Sequence, residues 1–240
     1  MTKFEELLGE IFSFGTLSIS SREPIFKTIG LTCLAKAALD SDMQVTYLDF
    51  DLQFSSLYSC IQDSLKQSNV FTRLDIIRPS SAKFERELID FIASLQSAKR
   101  SERGLVILDS LNSFEHLLVA MDGRYDWVAA NRLAFLYLTL LQMQTKSLGM
   151  TLIISNLLRS RPPRSPAHDR QWSAELVGGR LVTQKSKAIL YIETSKNLAD
   201  NESEHFLLKA VLKLTKESDR GIGFENSRSY LLEVPHYMFT

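Results

Sequence analysis

The chain has 240 residues, enough for one large domain, or one domain with a small appendage, around a sizeable core. Lysine plus arginine equals aspartate plus glutamate at 28 each, so overall charge does not advertise nucleic acid and any basic surface must be local. No segment has a signal-peptide pattern or nears the roughly 18 apolar residues of a membrane span. Cys33 and Cys60 lie in helix-like segments, so a soluble, reduced, intracellular setting is expected.

In chain order, Met1–Gly9 predicts a short amphipathic helix, Phe14–Ser20 a strand and Ser21–Pro24 a turn. Phe26–Asp40 carries apolar residues at helical spacing, with Ile29, Cys33 and Ala37 on one face. Gln44–Phe50 predicts a second strand, Ser55–Gln67 a second helix, and Leu74–Arg78 a third strand closed by Pro79. Ala82–Ala98 is a long helix by its stripe of Phe84, Leu88, Phe91, Ile92 and Leu95. After the strand at Leu105–Leu108, Tyr125–Ser147 predicts a long leucine-rich helix and Met150–Ser155 a fully apolar strand. Strand and helix alternating over about 155 residues imply a parallel α/β sheet. From Leu181 the texture changes: Ser186–Thr194, His205–Leu214 and Ser229–Val234 alternate like antiparallel strands, with turns at Asn197–Glu202 and Ser218–Gly223.

Two stretches carry candidate chemistry. Leu105–Leu108 is too short for a helix and suits a strand buried on both faces. It delivers Asp109 and Ser110 to the carboxyl end of the sheet, where α/β folds bind ligands and where nucleotidases hold magnesium. The competing assignment makes Asp109 a cap for the turn or helix that follows. Leu158–Arg170 (LRSRPPRSPAHDR) has three prolines and no apolar period, which predicts a loop. Arg159, Arg161, Arg164 and Arg170 there, with Trp172 alongside, suit phosphates and stacked bases; a solvated linker is the alternative.

The order of these pieces resembles the RecA-type recombinase core, specifically the recombinase paralogues of archaea and eukaryotes, over about Phe14–Pro235. LVILDSLNSF followed by MDGRYDWVAANRLAFLYLTLLQMQTKSLGMTLIISN is the most specific part. Gly123-Arg124 matches the family's first DNA loop, and Asn156 matches the Asn that ends the next strand. The arginine-rich stretch, Gly178-Gly179 and SKAILYIE match the second DNA loop, Gly-Gly and strand. The resemblance implies a single α/β domain over 1–240: a RecA-like P-loop-type core, with a mostly parallel central sheet flanked by helices and antiparallel strands at the C-terminal end. The family's N-terminal helical DNA-binding domain and its Phe-x-x-Ala polymerisation tag have no counterpart ahead of the core.

The nucleotide chemistry departs from the family pattern. A P-loop of the form G-x-x-x-x-G-K-[ST] needs glycines so that backbone N–H groups can wrap phosphate. The stretch here is Ser21-Arg22-Glu23-Pro24-Ile25-Phe26-Lys27-Thr28. Lys27 and Thr28 are in place, but Ser21 and Phe26 replace the glycines, Pro24 removes a donor, and Glu23 adds negative charge. Lys27 is then either a vestigial phosphate lysine or a surface lysine of the first helical turn. Asp51, or Asp49 with a two-residue slip, stands where the family has a catalytic Glu, a carboxylate set back by about 1.5 Å. Leu157 stands where it has a γ-phosphate-sensing Gln.

The resemblance therefore implies a pseudo-ATPase with vestigial nucleotide ligands Lys27, Thr28, Asp109 and Ser110, and Asp109 as the one metal candidate. No cofactor is required, although ATP and magnesium could bind. DNA-binding positions are Arg124, Arg132, Arg159, Arg161, Arg164, Arg170 and Trp172. The expected partners are single-stranded or branched DNA and another RecA-family paralogue or the main recombinase. The setting is the nucleus in a eukaryote, or the cytoplasm or nucleoid in an archaeon. Two alternatives stand beside this expectation: a weak DNA-dependent ATPase, and a RecA-like ring subunit of an Elongator-type RNA-modification assembly.

Overall fold

The computed structural model describes residues 3–56, 72–78, 83–97, 104–120, 125–161, 173–176, 179–194, 205–218 and 221–235. Helix α1 (Lys3–Ser13) leads into β1 (Thr16–Ser21), α2 (Pro24–Asp40), β2 (Gln44–Asp49) and β3 (Leu74–Ile77). Helix α3 (Phe84–Ser97), β4 (Gly104–Asp109), α4 (Leu111–Ala120), α5 (Trp127–Leu148) and β5 (Thr151–Arg161) follow. The chain continues through β6 (Ser173–Leu176), α6 (Gly179–Lys185), β7 (Ala188–Thr194), β8 (His205–Ser218) and β9 (Gly221–Pro235).

Among the described residues the strand order is β3-β2-β4-β5-β1-β7-β8-β9, parallel from β3 to β7 and antiparallel from β7 to β9. Every residue of β1 and β4 is buried, as strands covered on both faces require. The period of two in β4 divides the core. Leu105 and Ile107 pack with α1 and α2, whereas Val106 and Leu108 pack with α3, α4 and α5. On the second face Phe114 lies edge-on to both Phe84 and Tyr137, at centroid distances of 5.9 Å. No helix among the described residues is long and apolar enough to cross a membrane.

Local chemistry sets the element ends. Pro24 opens α2, where its fixed φ costs nothing and its missing N–H would have had no helical partner. Asp126 caps α5 by accepting from Ala129 N at 2.7 Å, and Gly149 closes it at φ 74°, a left-handed conformation that glycine takes without steric cost.

Several boundaries differ from the sequence expectation. Helix α2 begins at Pro24, not Phe26, so it absorbs part of the predicted turn. Of the turn or helix allowed after Asp109, the chain forms a helix, α4, whereas α6 has no counterpart among the predicted elements. Leu158–Arg161 is not loop: β5 continues through it, with Leu158 in register with Leu176 and Arg161 with Ser173. Backbone pairing supplies what side-chain periodicity did not announce. The same reason lets β8 and β9 pair as far as Ser218 and Gly221, narrowing the predicted turn there. Most of the predicted helix Ser55–Gln67, residues 162–170 of the arginine stretch with Trp172 beside it, Gly178 and the turn Asn197–Glu202 lie outside the described residues.

Candidate functional site

Because β1, β2, β4 and β5 are parallel, their carboxyl ends share one edge, and there the polar side chains gather. Strand β1 ends at Ser21 and α2 starts at Pro24, leaving Arg22 and Glu23 as the whole connection. Glu23 N donates to Ser21 Oγ at 3.3 Å. Lys27 therefore stands in the first turn and a half of the helix. Its backbone N–H is already used, donated to Glu23 O at 3.3 Å.

The Lys27 side chain is fully buried, which removes the surface-lysine assignment. Its ammonium ion-pairs with Asp51 Oδ2 at 2.5 Å and with Asp109 Oδ1. Asp109, also fully buried, accepts further from Ser155 Oγ at 2.5 Å and from the Tyr47 hydroxyl at 2.7 Å. Asp51 Oδ1 accepts from Ser110 Oγ at 2.8 Å and from Ser113 Oγ. The result is one cation between two carboxylates, with hydroxyl donors from three elements and from Ser110 bringing each carboxylate to three hydrogen bonds.

These environments set the protonation behaviour. Burial opposes ionisation of Asp51, but the Lys27 charge and the bonds from Lys27, Ser113 and Ser110 outweigh it, holding the carboxyl below its ordinary value. Burial, then the Asp109 charge, pushes the Tyr47 phenol well above its ordinary value, so Tyr47 remains a donor. Its ring stacks on Phe54 with centroids 3.8 Å apart.

Asp49 is set apart from this cluster. Its Oδ2 accepts from Ser55 N at 2.9 Å and Ser55 Oγ at 2.5 Å, bracing the helical turn at residues 53–56, while Oδ1 is buried with no hydrogen-bond partner among the described residues. Burial raises its carboxyl above the ordinary value, against the bonds from Ser55. Of the two candidates for the catalytic position, then, Asp51 is the one that reaches Lys27. Leu52 follows at φ 59°, an uncommon conformation for a residue with a side chain, and turns the chain out of β2.

The cap assignment for Asp109 is also corrected: Ser110 caps α4, accepting from Ser113 N at 3.3 Å, which frees Asp109 for Lys27. The Thr28 hydroxyl lies 2.8 Å from Gln53 Oε1 and 3.1 Å from Pro24 O, so its single proton is engaged. Asn156 donates to Ser18 Oγ at 2.8 Å, and the backbone of Leu157 donates to Asn112 Oδ1 at 3.0 Å. Among the described residues no group of three or more His, Cys, Asp or Glu side chains could hold a metal ion.

The predicted site residues thus divide. Lys27, Thr28, Asp51, Asp109 and Ser110 come together at one sheet edge. Tyr47, Ser113 and Ser155, which no sequence motif singled out, complete the cluster. Arg132 is apart from it, exposed on α5. Arg159 and Arg161 occupy alternating positions of β5, Arg159 in register with Glu175. Arg124, Arg164, Arg170 and Trp172 lie outside the described residues.

No protein-family model matches the sequence, and no curated protein does. Solved structures do match. A structure of the RadB recombinase aligns over 92% of this chain and 95% of its own, with a TM-score of 0.55 and 20% identity. A second solved structure, described as an ATPase domain, aligns over 90% of this chain and 80% of its own, with a TM-score of 0.53 and 12% identity. A DnaB-like replicative helicase, solved with attention to its interactions with primase, aligns over 90% of this chain and 54% of its own (TM-score 0.54, 14% identity). At such identities the likeness is one of fold, and the fold is RecA-like: an α/β core with a mostly parallel sheet and antiparallel strands at its C-terminal end.

Proposed function

We propose that this chain is a recombinase paralogue with a degenerate phosphate loop. In this reading it serves homologous-recombination repair without hydrolysing nucleotide, binding single-stranded or branched DNA and a RecA-family partner. One observation carries the non-catalytic part: the Lys27 ammonium is enclosed by Asp51 and Asp109. A phosphate chain would have to displace two carboxylates and would then meet Asp51, Asp109 and Glu23 together, a net negative surround. The two-residue connection between β1 and α2 argues the same way, because a phosphate cradle is built from loop N–H groups, and here the chain is already helical from Pro24. The residues at this edge therefore do not fit magnesium–ATP, and the reading assigns them a structural role.

The DNA part rests on the arginines of the β5 arm and its continuation, and the role beside a RecA-family partner rests on the resemblance in motif order. Nucleotide binding and turnover, with and without single-stranded DNA, test the first part. No turnover is expected. Turnover that is lost in Lys27→Ala and Asp109→Ala proteins shown to be folded would establish a weak ATPase instead. For the second part, single-strand affinity should fall with salt at a slope of about −2 if three arginines neutralise phosphates. Replacing Arg159, Arg161 and Arg164 with Ala should flatten that slope. Stronger competition by tRNA than by single-stranded DNA would favour the RNA-modification alternative.

A further inference from the structure

The Asp51 carboxylate is held as a free oxyanion would be. Its Oδ2 accepts from the Lys27 ammonium at 2.5 Å, and its Oδ1 accepts from two hydroxyls, Ser110 Oγ at 2.8 Å and Ser113 Oγ. These donors belong to separate parts of the fold. Lys27 stands near the start of α2, whereas Ser110 caps α4 and Ser113 lies in its first turn. Lys27 and Ser110 are both fully buried. An ammonium and two hydroxyls that converge on one point bind negative charge strongly, and the dipole of α4 has its positive end there. Asp51 enters this point from outside both elements, on the turn that follows β2.

Lys27 does not need Asp51 for charge balance. Asp109 already pairs with it, and Asp109 has Ser155 and Tyr47 as further donors. The second carboxylate is therefore an anion beyond what the single cation requires. Asp51 also lines an open cleft of about 760 Å³ with Glu23, Thr28, Leu52, Gln53 and Ser56, whereas Lys27, Ser110 and Ser113 do not reach that cleft. Its side chain is thus the wall between the cleft and the three donors. We infer that Asp51 is a tethered competitor, filling an oxyanion site made by Lys27, Ser110 and Ser113 and closing it by an autoinhibitory contact. This role presupposes the non-hydrolytic reading proposed above and adds what keeps free phosphate from the lysine. A free anion loses translational freedom on binding, and a carboxylate on the same chain does not.

The ligand class follows from the donors. Asp51→Ala removes one carboxylate group, which is the size of formate, and leaves Lys27 paired with Asp109 so that no buried charge is uncompensated. Because the vacated space opens onto the cleft, an anion as large as phosphate also has room. Glu23, exposed on the same cleft, opposes a second negative charge and so disfavours phosphate more than formate. Glu23→Gln added to Asp51→Ala should therefore raise phosphate affinity more than formate affinity.

Sodium formate and inorganic phosphate, titrated into the full chain at constant ionic strength with chloride as the balancing anion, provide the test. Calorimetry and the melting temperature are the readouts. The wild type should respond to neither anion beyond the chloride control. Asp51→Ala should bind at least one of them, with a dissociation constant about tenfold or more below any wild-type value. Asp51→Asn keeps the shape of the side chain, still fills the site and should bind neither. Adding Ser113→Ala to Asp51→Ala should weaken the gained binding by about tenfold. Should the alanine variant fail to fold, Asp51→Ser, which also leaves the site short of a carboxylate, carries the same comparison. Binding of formate alone assigns the site to carboxylates, and binding of both assigns it to oxyanions in general. A folded Asp51→Ala protein that binds neither anion overturns the inference, as does equal binding by the wild type or by Asp51→Asn. Nucleotide turnover by the wild type would instead refute the non-hydrolytic reading, so the two failures are told apart.

Discussion

Replacing Lys27 with alanine separates a structural ion cluster from a catalytic lysine. In the folded protein the ammonium is fully buried and balances two carboxylates, Asp109 at 0% and Asp51 at 8% side-chain exposure. Alanine leaves both charges inside, Asp109 with Ser155 and Tyr47 as donors and Asp51 with Ser110 and Ser113. Breaking a buried pair by removing one partner costs about 3–5 kcal/mol. With a urea m-value of about 2–3 kcal/mol/M the midpoint should fall by roughly 1–2.5 M. The deficit should also depend on pH. Burial works against the Asp51 carboxylate and Lys27 holds its folded pKa down, so the stability it contributes is present above the unfolded value and lost as pH falls through the folded one. Without Lys27 that depression is gone and the carboxylate takes up its proton at higher pH. Urea titrations followed by circular dichroism at pH 8 and near the carboxylate range should therefore show the deficit narrowing as pH falls. A deficit below about 1 kcal/mol at pH 8, the value of an exposed pair, would refute the reasoning.

Three further outcomes follow from the same geometry. Lys27→Met combined with Asp51→Asn and Asp109→Asn neutralises the whole cluster and should recover most of the stability lost in Lys27→Ala, because replacing an entire buried ion set is often neutral; equal midpoints for the triple and single variants would contradict this. Asp49 has the opposite sign to Asp51: burial raises its folded pKa, so its ionisation opposes folding, and the advantage of Asp49→Asn over wild type should grow as pH rises through that folded value, read from urea midpoints. A Cβ at Gly30 would lie 2.2 Å from Cδ1 of the buried Ile192. Gly30→Ala should therefore cost about 1–3 kcal/mol, a melting temperature lower by roughly 2–10 °C, and an unchanged melt would show that Ile192 can move aside.

The strands were legible where both faces are buried, because a run such as Leu105–Leu108 has no other stable use. Helix α4 was not. LNSFEHLLVA continues the apolar texture of β4 with only Ser110 to mark its start, and Ser113 at the third helical position lacks the carboxylate or amide of a capping box. The arginine stretch misled for a related reason. Pro162, Pro163 and Pro166 gave the whole segment the look of a loop, while Leu158–Arg161 pairs through its backbone with a short, partly polar strand that carries no clear period. At the site, the motif positions of Lys27 and Asp109 could be read, but not their union. They are 82 residues apart in sequence, and their contact depends on the strand order that sets β1 and β4 on either side of β5. Tyr47 and Ser155 were invisible for the same reason, since nothing local distinguishes a hydroxyl on a buried strand that donates to a carboxylate from one that packs.

The cluster bears on function through the cost of its polarity. Apolar residues of similar volume would hold this sheet edge about as well, so two buried carboxylates and a lysine are weak evidence of selection for stability. An ancestral phosphate site that lost its glycines would leave this set behind: a lysine from the helix after β1 and an acid from the end of β4, closing on one another once the loop had become helix. On that account the cluster should tolerate joint neutralisation and resist single substitutions. A working ATPase has the reverse tolerance, because its lysine acts on phosphate and cannot be replaced by a methionine whatever accompanies it. Stability and turnover measured together on the Lys27→Met, Asp51→Asn, Asp109→Asn protein therefore separate the two accounts. A folded triple variant that assembles with its partner as the wild type does supports the structural role. Loss of a measurable wild-type turnover in that same folded variant would return the site to catalysis.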